Sequence, residues 1–239
     1  DIDGASALIR RLAALPSVEV RGLHFHIGSQ MTQIEPIEEA TRELVNLAAS
    51  LLAEGLPLRF VDLGGGLGID YESTGVPSPS DLGQRLRPIL EGLPLEIVLE
   101  PGRSLVAAAG VLLTRVVLIK EHGGKKFVVV DAGMNDLIRP ALYEAYHRIE
   151  PVVERAAAKA TVDVVGPICE TGDFLALDRE LPEVEVGDLL AIRDAGAYCF
   201  SMASKYNMRP RPAEVMVANG EALLIRRRES FDDLVRNEV

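Results

Sequence analysis

The sequence predicts an α/β chain in two parts, a partial βα barrel over residues 1–108 and a mostly antiparallel β domain over 109–239. In the first part, short apolar runs of strand character alternate with runs of helical period, the spacing of right-handed βα units around a parallel sheet. Each of those strands ends in polar or glycine residues, which is where barrels of this kind place their chemistry. After about residue 108 the helical period stops and strand-like runs follow one another with turns between them.

Residues 5–15 carry Leu8, Ile9, Leu12 and Leu15 on one side, and Pro16 stops the helix. Residues 18–27 (VEVRGLHFHI) read as a strand that Gly28-Ser29-Gln30 ends in a turn. Residues 36–54 form a second amphipathic helix through Ile37, Leu44, Leu47, Ala48 and Leu51, closed by Gly55. A short buried strand at 60–63 runs into Gly64-Gly65-Gly66, and the Ser/Pro-rich stretch 72–79 is a loop. A third helix at 81–90 and a third strand at 95–99 lead to Glu100-Pro101-Gly102-Arg103. In the second part, 111–120, 126–130, 161–165, 189–193, 215–218 and 222–226 read as strands, with Gly123-Gly124 at a hairpin tip.

At 239 residues and 48% hydrophobic, the chain is long enough for two modest packed domains. Its net charge of -11 argues against a nucleic-acid surface, which needs clustered Lys and Arg. Cys169 and Cys199 lack metal-ligand spacing, so neither a disulfide framework nor a metal site is expected, and a reducing cytosol fits best. The most apolar run, 105–113, is too short to span a bilayer, so no membrane partner is expected. The opening Asp-Ile-Asp-Gly has neither the basic start nor the apolar core of a signal peptide. The chain begins without Met in a helix already under way, and is expected to be a piece of something longer.

Glycine weakens regular structure, so three in a row after a strand need a reason. One reading is a nest of backbone N–H groups, opening a helix, that holds a phosphate. The other is a tight strand-to-helix turn. A dinucleotide fingerprint is excluded, because Ile69 stands where the third glycine belongs. His24 and His26, two apart on a strand, face one side, with no third ligand nearby along the sequence. Such histidines are more often structural, although an imidazole also lies flat against a cofactor ring. Glu100 and Arg103 put an anion and a cation at one strand end: a partner for a pyridine nitrogen and one for a phosphate or carboxylate, or else a surface ion pair.

HFHIGSQ at 24–30, DLGGGLGIDY at 62–71, EPGR at 100–103, DAGMNDLIRPALYEAYH at 131–147, GPICETGDF at 166–174 and DAGAYCFSMASKYNMRPRP at 194–212 occur in this order. The ordered set resembles the pyridoxal-phosphate (PLP) decarboxylases that act on ornithine, diaminopimelate and arginine, whose barrels are of the alanine racemase type. The likeness runs over nearly the whole chain and is greatest to the members acting on meso-2,6-diaminopimelate. It implies the last strands of a PLP-binding (β/α)8 barrel, the C-terminal β domain, and decarboxylation of meso-2,6-diaminopimelate to L-lysine and CO2.

By that resemblance His26 stacks on the PLP ring, and Ser29 with Gly64, Gly65 and Gly66 binds its phosphate. Glu100 pairs with the pyridine nitrogen, while Gly102 and Arg103 lie near the phosphate, Arg103 also near the substrate. Arg139 and Tyr143 hold the distal end of the amino-acid substrate. Cys169 donates the proton after CO2 leaves, Glu170 contacts the distal amino group, and Tyr198 sits at phosphate and substrate. The Cys-Glu pair reaches into the partner's site, so a homodimer is implied. Read alone, Cys169 is as well a small buried hydrophobe, and Cys199, without such context, is structural.

One expected feature is missing. The family holds PLP covalently on a lysine near the start of its barrel. The five lysines here are Lys120, Lys125, Lys126 and Lys159 in the β domain and Lys205 in SMASKYN, where the family usually has Asn. Only three barrel strands are visible. The chain is therefore expected to be a fragment, inactive by itself. Rival readings are a decarboxylase of ornithine, lysine, arginine or carboxynorspermidine, and a catalytically dead relative that dimerises with an active partner.

Overall fold

Apolar side chains four and three residues apart build the first helical layer. The computed structural model describes residues 2–154 and 156–239, in two compact units, one up to Leu105 and the other Val106–Val239. The first unit runs α1 (Ile2–Ala13), β1 (Gly22–His24), α2 (Glu35–Ala53), β2 (Phe60–Asp62), α3 (Pro79–Leu90), β3 (Glu96–Val98) and α4 (Arg103–Val106). Along α2, Ile37, Thr41, Leu44, Ala48 and Leu51 are buried, a period that keeps one face on the sheet. Thr41 belongs to that face because its hydroxyl donates to the Ile37 carbonyl oxygen at 2.7 Å. Ser78 and Asp81 form a capping box that starts α3.

The three strands pair in parallel in the order β1-β2-β3, with His24 opposite Asp62 and Asp62 opposite Val98. The ladder at β1 is shorter than the run 18–27 suggests. Beyond His24 the chain leaves it, after Phe25 N–H has bonded the Asp62 carbonyl oxygen, so His26 lies outside the strand.

The second unit runs β4 (Leu112–His122), β5 (Lys125–Val130), α5 (Arg139–Tyr143), β6 (Ile149–Pro151), β7 (Lys159–Val165), β8 (Phe174–Pro182), β9 (Leu189–Ile192), β10 (Glu214–Ala218), β11 (Glu221–Arg226) and α6 (Phe231–Val235). Gly123 and Gly124, at φ of +59° and +79°, make the tight turn between β4 and β5. Six strands pair in the order β6-β9-β4-β5-β7-β8, all antiparallel except β5 with β7. The outer strands β6 and β8 touch, so the sheet nearly closes on itself. Inside lie Val116, Val128, Val130, Leu175, Leu190 and Ile192, all fully buried. The hairpin β10–β11 stands as a separate two-stranded sheet. Among the described residues no helix is long and apolar enough to cross a membrane.

Candidate active site

The loops at the ends of β1, β2 and β3 approach too closely for side chains. A Cβ on Gly64 would fall on the Phe25 carbonyl oxygen, one on Gly65 on that of Glu100, and one on Gly66 on that of Gly28. Gly64 and Gly66 also hold φ of +62° and +100°, which residues bearing a Cβ rarely adopt. The triplet opens no helix, contrary to both sequence readings. The chain stays irregular until α3, and the Asp70 carboxylate gathers the N–H groups of Glu72, Thr74, Gly75 and Val76 into a loop.

His24 Nε2 lies 3.4 Å from Glu100 Oε2, and ligand atoms of His24, Asp62 and Glu100 all fall within 4.8 Å of one another. His24 thus has two carboxylate neighbours, where spacing along the sequence showed none, because adjacent strands supply them. Asp62 also accepts from Gly64 N–H at 2.9 Å. His26 Nδ1 accepts from Gly65 N–H at 3.5 Å, which sets its ring beside the triplet. Arg103 opens α4, just after Gly102, whose carbonyl oxygen accepts from Leu105 N–H. Its Nη2 donates to Ser29 Oγ at 3.1 Å and its Nη1 to Tyr71 Oη at 2.9 Å. Tyr71 was not among the expected site residues, although it closes the DLGGGLGIDY motif. The structure therefore groups a hydroxyl and a guanidinium, donors suited to an anion, beside the glycine loop, with a carboxylate on the neighbouring strand end.

In the second unit the β7–β8 turn carries Cys169 and Glu170, both exposed. Asp173, 5% exposed, braces that turn. It accepts from Ile168 N–H and Met134 N–H, each at 2.6 Å, and a Cβ on Gly133 or Gly166 would crowd its carboxylate. The Glu170 carboxylate accepts from Tyr206 Oη at 3.3 Å. Arg139 is buried, with Nη1 2.7 Å from Nε2 of the fully buried His147, whose Nδ1 lies 2.8 Å from the Arg193 carbonyl oxygen. A carbonyl only accepts and a guanidinium only donates, so this geometry suits the tautomer with the proton on Nδ1 and Nε2 accepting from Arg139. Tyr143, at the far end of α5, is exposed, as is Tyr198, at φ of +59°. Buried Cys199 donates to the Asp136 carbonyl oxygen, and burial, then the charges of Asp136 and Glu214, push its thiol up to about 12. Lys205 reaches the Asp233 carbonyl oxygen and Glu229 near the C-terminal helix.

Residues 23–196 match the family described as pyridoxal-dependent decarboxylase, C-terminal sheet domain. The chain belongs to the pyridoxal-dependent decarboxylases. It is 50% identical over 236 residues to the diaminopimelate decarboxylase of Aquifex aeolicus, covering 98% of this chain and 56% of that protein. It is 51% identical over 237 residues to that of Pseudomonas aeruginosa, covering 99% and 57%. A crystal structure of diaminopimelate decarboxylase from Helicobacter pylori complexed with L-lysine superimposes with a TM-score of 0.92 at 43% identity, over 99% of this chain and 59% of that one. The chain thus spans about 56% of the length of the curated relatives it matches. Within a pyridoxal-dependent decarboxylase, the chemistry of the first cluster fits the cofactor: cation, hydroxyl and glycine loop for its phosphate, an imidazole for its ring and a carboxylate for its nitrogen.

Proposed function

We propose that this chain forms the C-terminal part of a PLP-dependent carboxy-lyase that converts meso-2,6-diaminopimelate to L-lysine and CO2. The observation that carries the reading is about 50% identity to diaminopimelate decarboxylases along nearly the whole chain. On this reading the first unit supplies the last strands of a (β/α)8 barrel. Bound PLP supplies the electron sink for the charge left when CO2 departs. His26 would stack on its ring. Ser29, Gly64, Gly65, Gly66, Gly102 and Arg103 hold its phosphate with Tyr198, and Glu100 keeps a proton on its ring nitrogen.

The second unit handles the substrate. Arg139, anchored on His147, and Tyr143 hold the distal end. Arg103 and Tyr198 also contact the substrate. Glu170 takes the distal ammonium group. Cys169 Sγ holds the proton that goes to the α-carbon, and its exposure leaves it open to a second subunit. Each subunit of a homodimer thereby lends its Cys169–Glu170 pair to the other's site.

The test is CO2 release by the PLP-loaded holoenzyme from meso-2,6-diaminopimelate, L-lysine and L-ornithine. Only the first is expected to turn over efficiently, and preference for a substrate without the distal carboxylate would refute the assignment. Cys169→Ala should lower kcat by about a hundredfold or more, the usual loss of a positioned general acid.

A further inference from the structure

We propose that Tyr206 is the positioning residue that aims Glu170, so that recognition of a remote ammonium group belongs to the Tyr206–Glu170 pair and not to Glu170 alone. The proposal rests on the decarboxylase reading above. Asp173 fixes the backbone of the Glu170 turn, with Asp173 N–H in turn bonded to the Glu170 carbonyl oxygen at 3.1 Å. That leaves the exposed glutamate side chain, whose rotamers are numerous, to be ordered by something else. Tyr206 Oη donates to Glu170 Oε2 at 3.3 Å and supplies that order.

The segment bearing Tyr206 is itself held in place. Ser204 N–H bonds the Asn135 carbonyl oxygen at 2.8 Å, Ser204 Oγ accepts from Tyr206 N–H, and Lys205 Nζ bonds the Asp233 carbonyl oxygen at 3.2 Å. Lys205, which the family motif does not explain, thus ties this turn to the C-terminal helix. The next two residues, Asn207 and Met208, both sit at left-handed φ, 55° and 56°. Strain of this kind in non-glycine residues persists where surroundings enforce it, often at functional sites. The charge of Glu170, then the hydrogen bond to it, burial and Cys169 all raise the Tyr206 hydroxyl above its ordinary range. It therefore stays a donor at every pH where the carboxylate is ionised near neutrality.

In the holoenzyme, Tyr206→Phe is expected to raise KM for meso-2,6-diaminopimelate about tenfold with kcat within about twofold, the scale of a hydrogen bond to a charged group. Glu170→Gln should raise KM further, and the double variant should match Glu170→Gln, because both remove one interaction. Multiplying effects in the double variant, or a loss confined to kcat, would overturn the proposal. An activity-independent reading comes from tyrosinate absorbance against pH. One tyrosine should titrate late in the wild type, earlier in Glu170→Gln, and be missing in Tyr206→Phe; no change in Glu170→Gln would remove the contact itself. A wild type without turnover overturns the decarboxylase reading, and the recognition role with it, while the titration still reports the pair.

Discussion

The two units hold their site residues in opposite ways. In the first, the chemistry sits on strand-end loops, and what fixes it is backbone: glycines with no room for a Cβ, and a loop gathered on the Asp70 carboxylate. In the second, exposed Cys169 and Glu170 ride on buried polar side chains, Asp173 beneath the turn and His147 behind Arg139. The difference follows from the strands. Three short parallel strands end together and place three loops side by side, so close approach is the governing constraint. A nearly closed sheet has an interior, and a charged group within it must be fully hydrogen-bonded.

If that contrast is right, the most damaging single change lies in the second unit. Asp173→Ala leaves the N–H groups of Ile168 and Met134 without their acceptor, and a loss of about 4 kcal/mol is expected in urea unfolding. A loss below about 1 kcal/mol would mean that buried polar groups are not what holds the Cys169 turn. In the first unit, Gly65→Ala drives a methyl group into the Glu100 carbonyl oxygen and should cost about 2 kcal/mol. It should also move Glu100, which a weakened affinity of the holoenzyme for PLP would register. Gly123→Ala is the control: it too sits at positive φ but in open space, so only about 1 kcal/mol of backbone strain is expected.

The same contrast explains what could be read in the sequence. The α2 period and the Gly123-Gly124 turn are local patterns that stand where they were read, as do β2 and β3, whereas β1 fills only Gly22–His24 of the run 18–27. Strand β8 was not legible, because Asp178 adopts φ of +47° and the pairing with β7 shifts register, which breaks the alternation of FLALDRELP. Strand β6 (Ile149–Pro151) ends in a proline and shows no apolar run or alternation. The site residues that spacing missed, Asp173, Tyr206, Tyr71 and the neighbours of His24, act through partners far along the chain. Asp173 holds a residue 39 positions away and Tyr206 one 36 away. Such pairs have no signature until the sheet brings them together. The supports Asp173, Tyr206 and Tyr71 lie on the same motifs as the residues named early, but what each of them holds shows only in the fold.

The smallest effects give the sharpest comparison, because the two modes of support shift two aspartates in opposite directions. Asp70 is held by the N–H groups of Thr74 first, then Gly75, Val76 and Glu72, and its carboxyl is lowered to about 2. Asp136 is raised, by burial first and by Asp131, against the opposing pull of Gly133 N–H, Arg209 and Arg228. An unfolded aspartate titrates near about 3.9. Asp70 therefore contributes stability above that value, lost as pH falls from about 4 through about 2. Asp136 does the reverse: the folded state keeps its proton to higher pH than the unfolded chain does, so its contribution improves as pH falls towards about 4. Urea midpoints measured against pH should separate them. The advantage of wild type over Asp70→Asn should shrink below about pH 4, while its advantage over Asp136→Asn should grow as pH falls from 7 to about 4. Parallel slopes for the two variants would mean that both carboxyl groups experience one kind of environment, and the distinction between a backbone-built and a side-chain-built site would not hold.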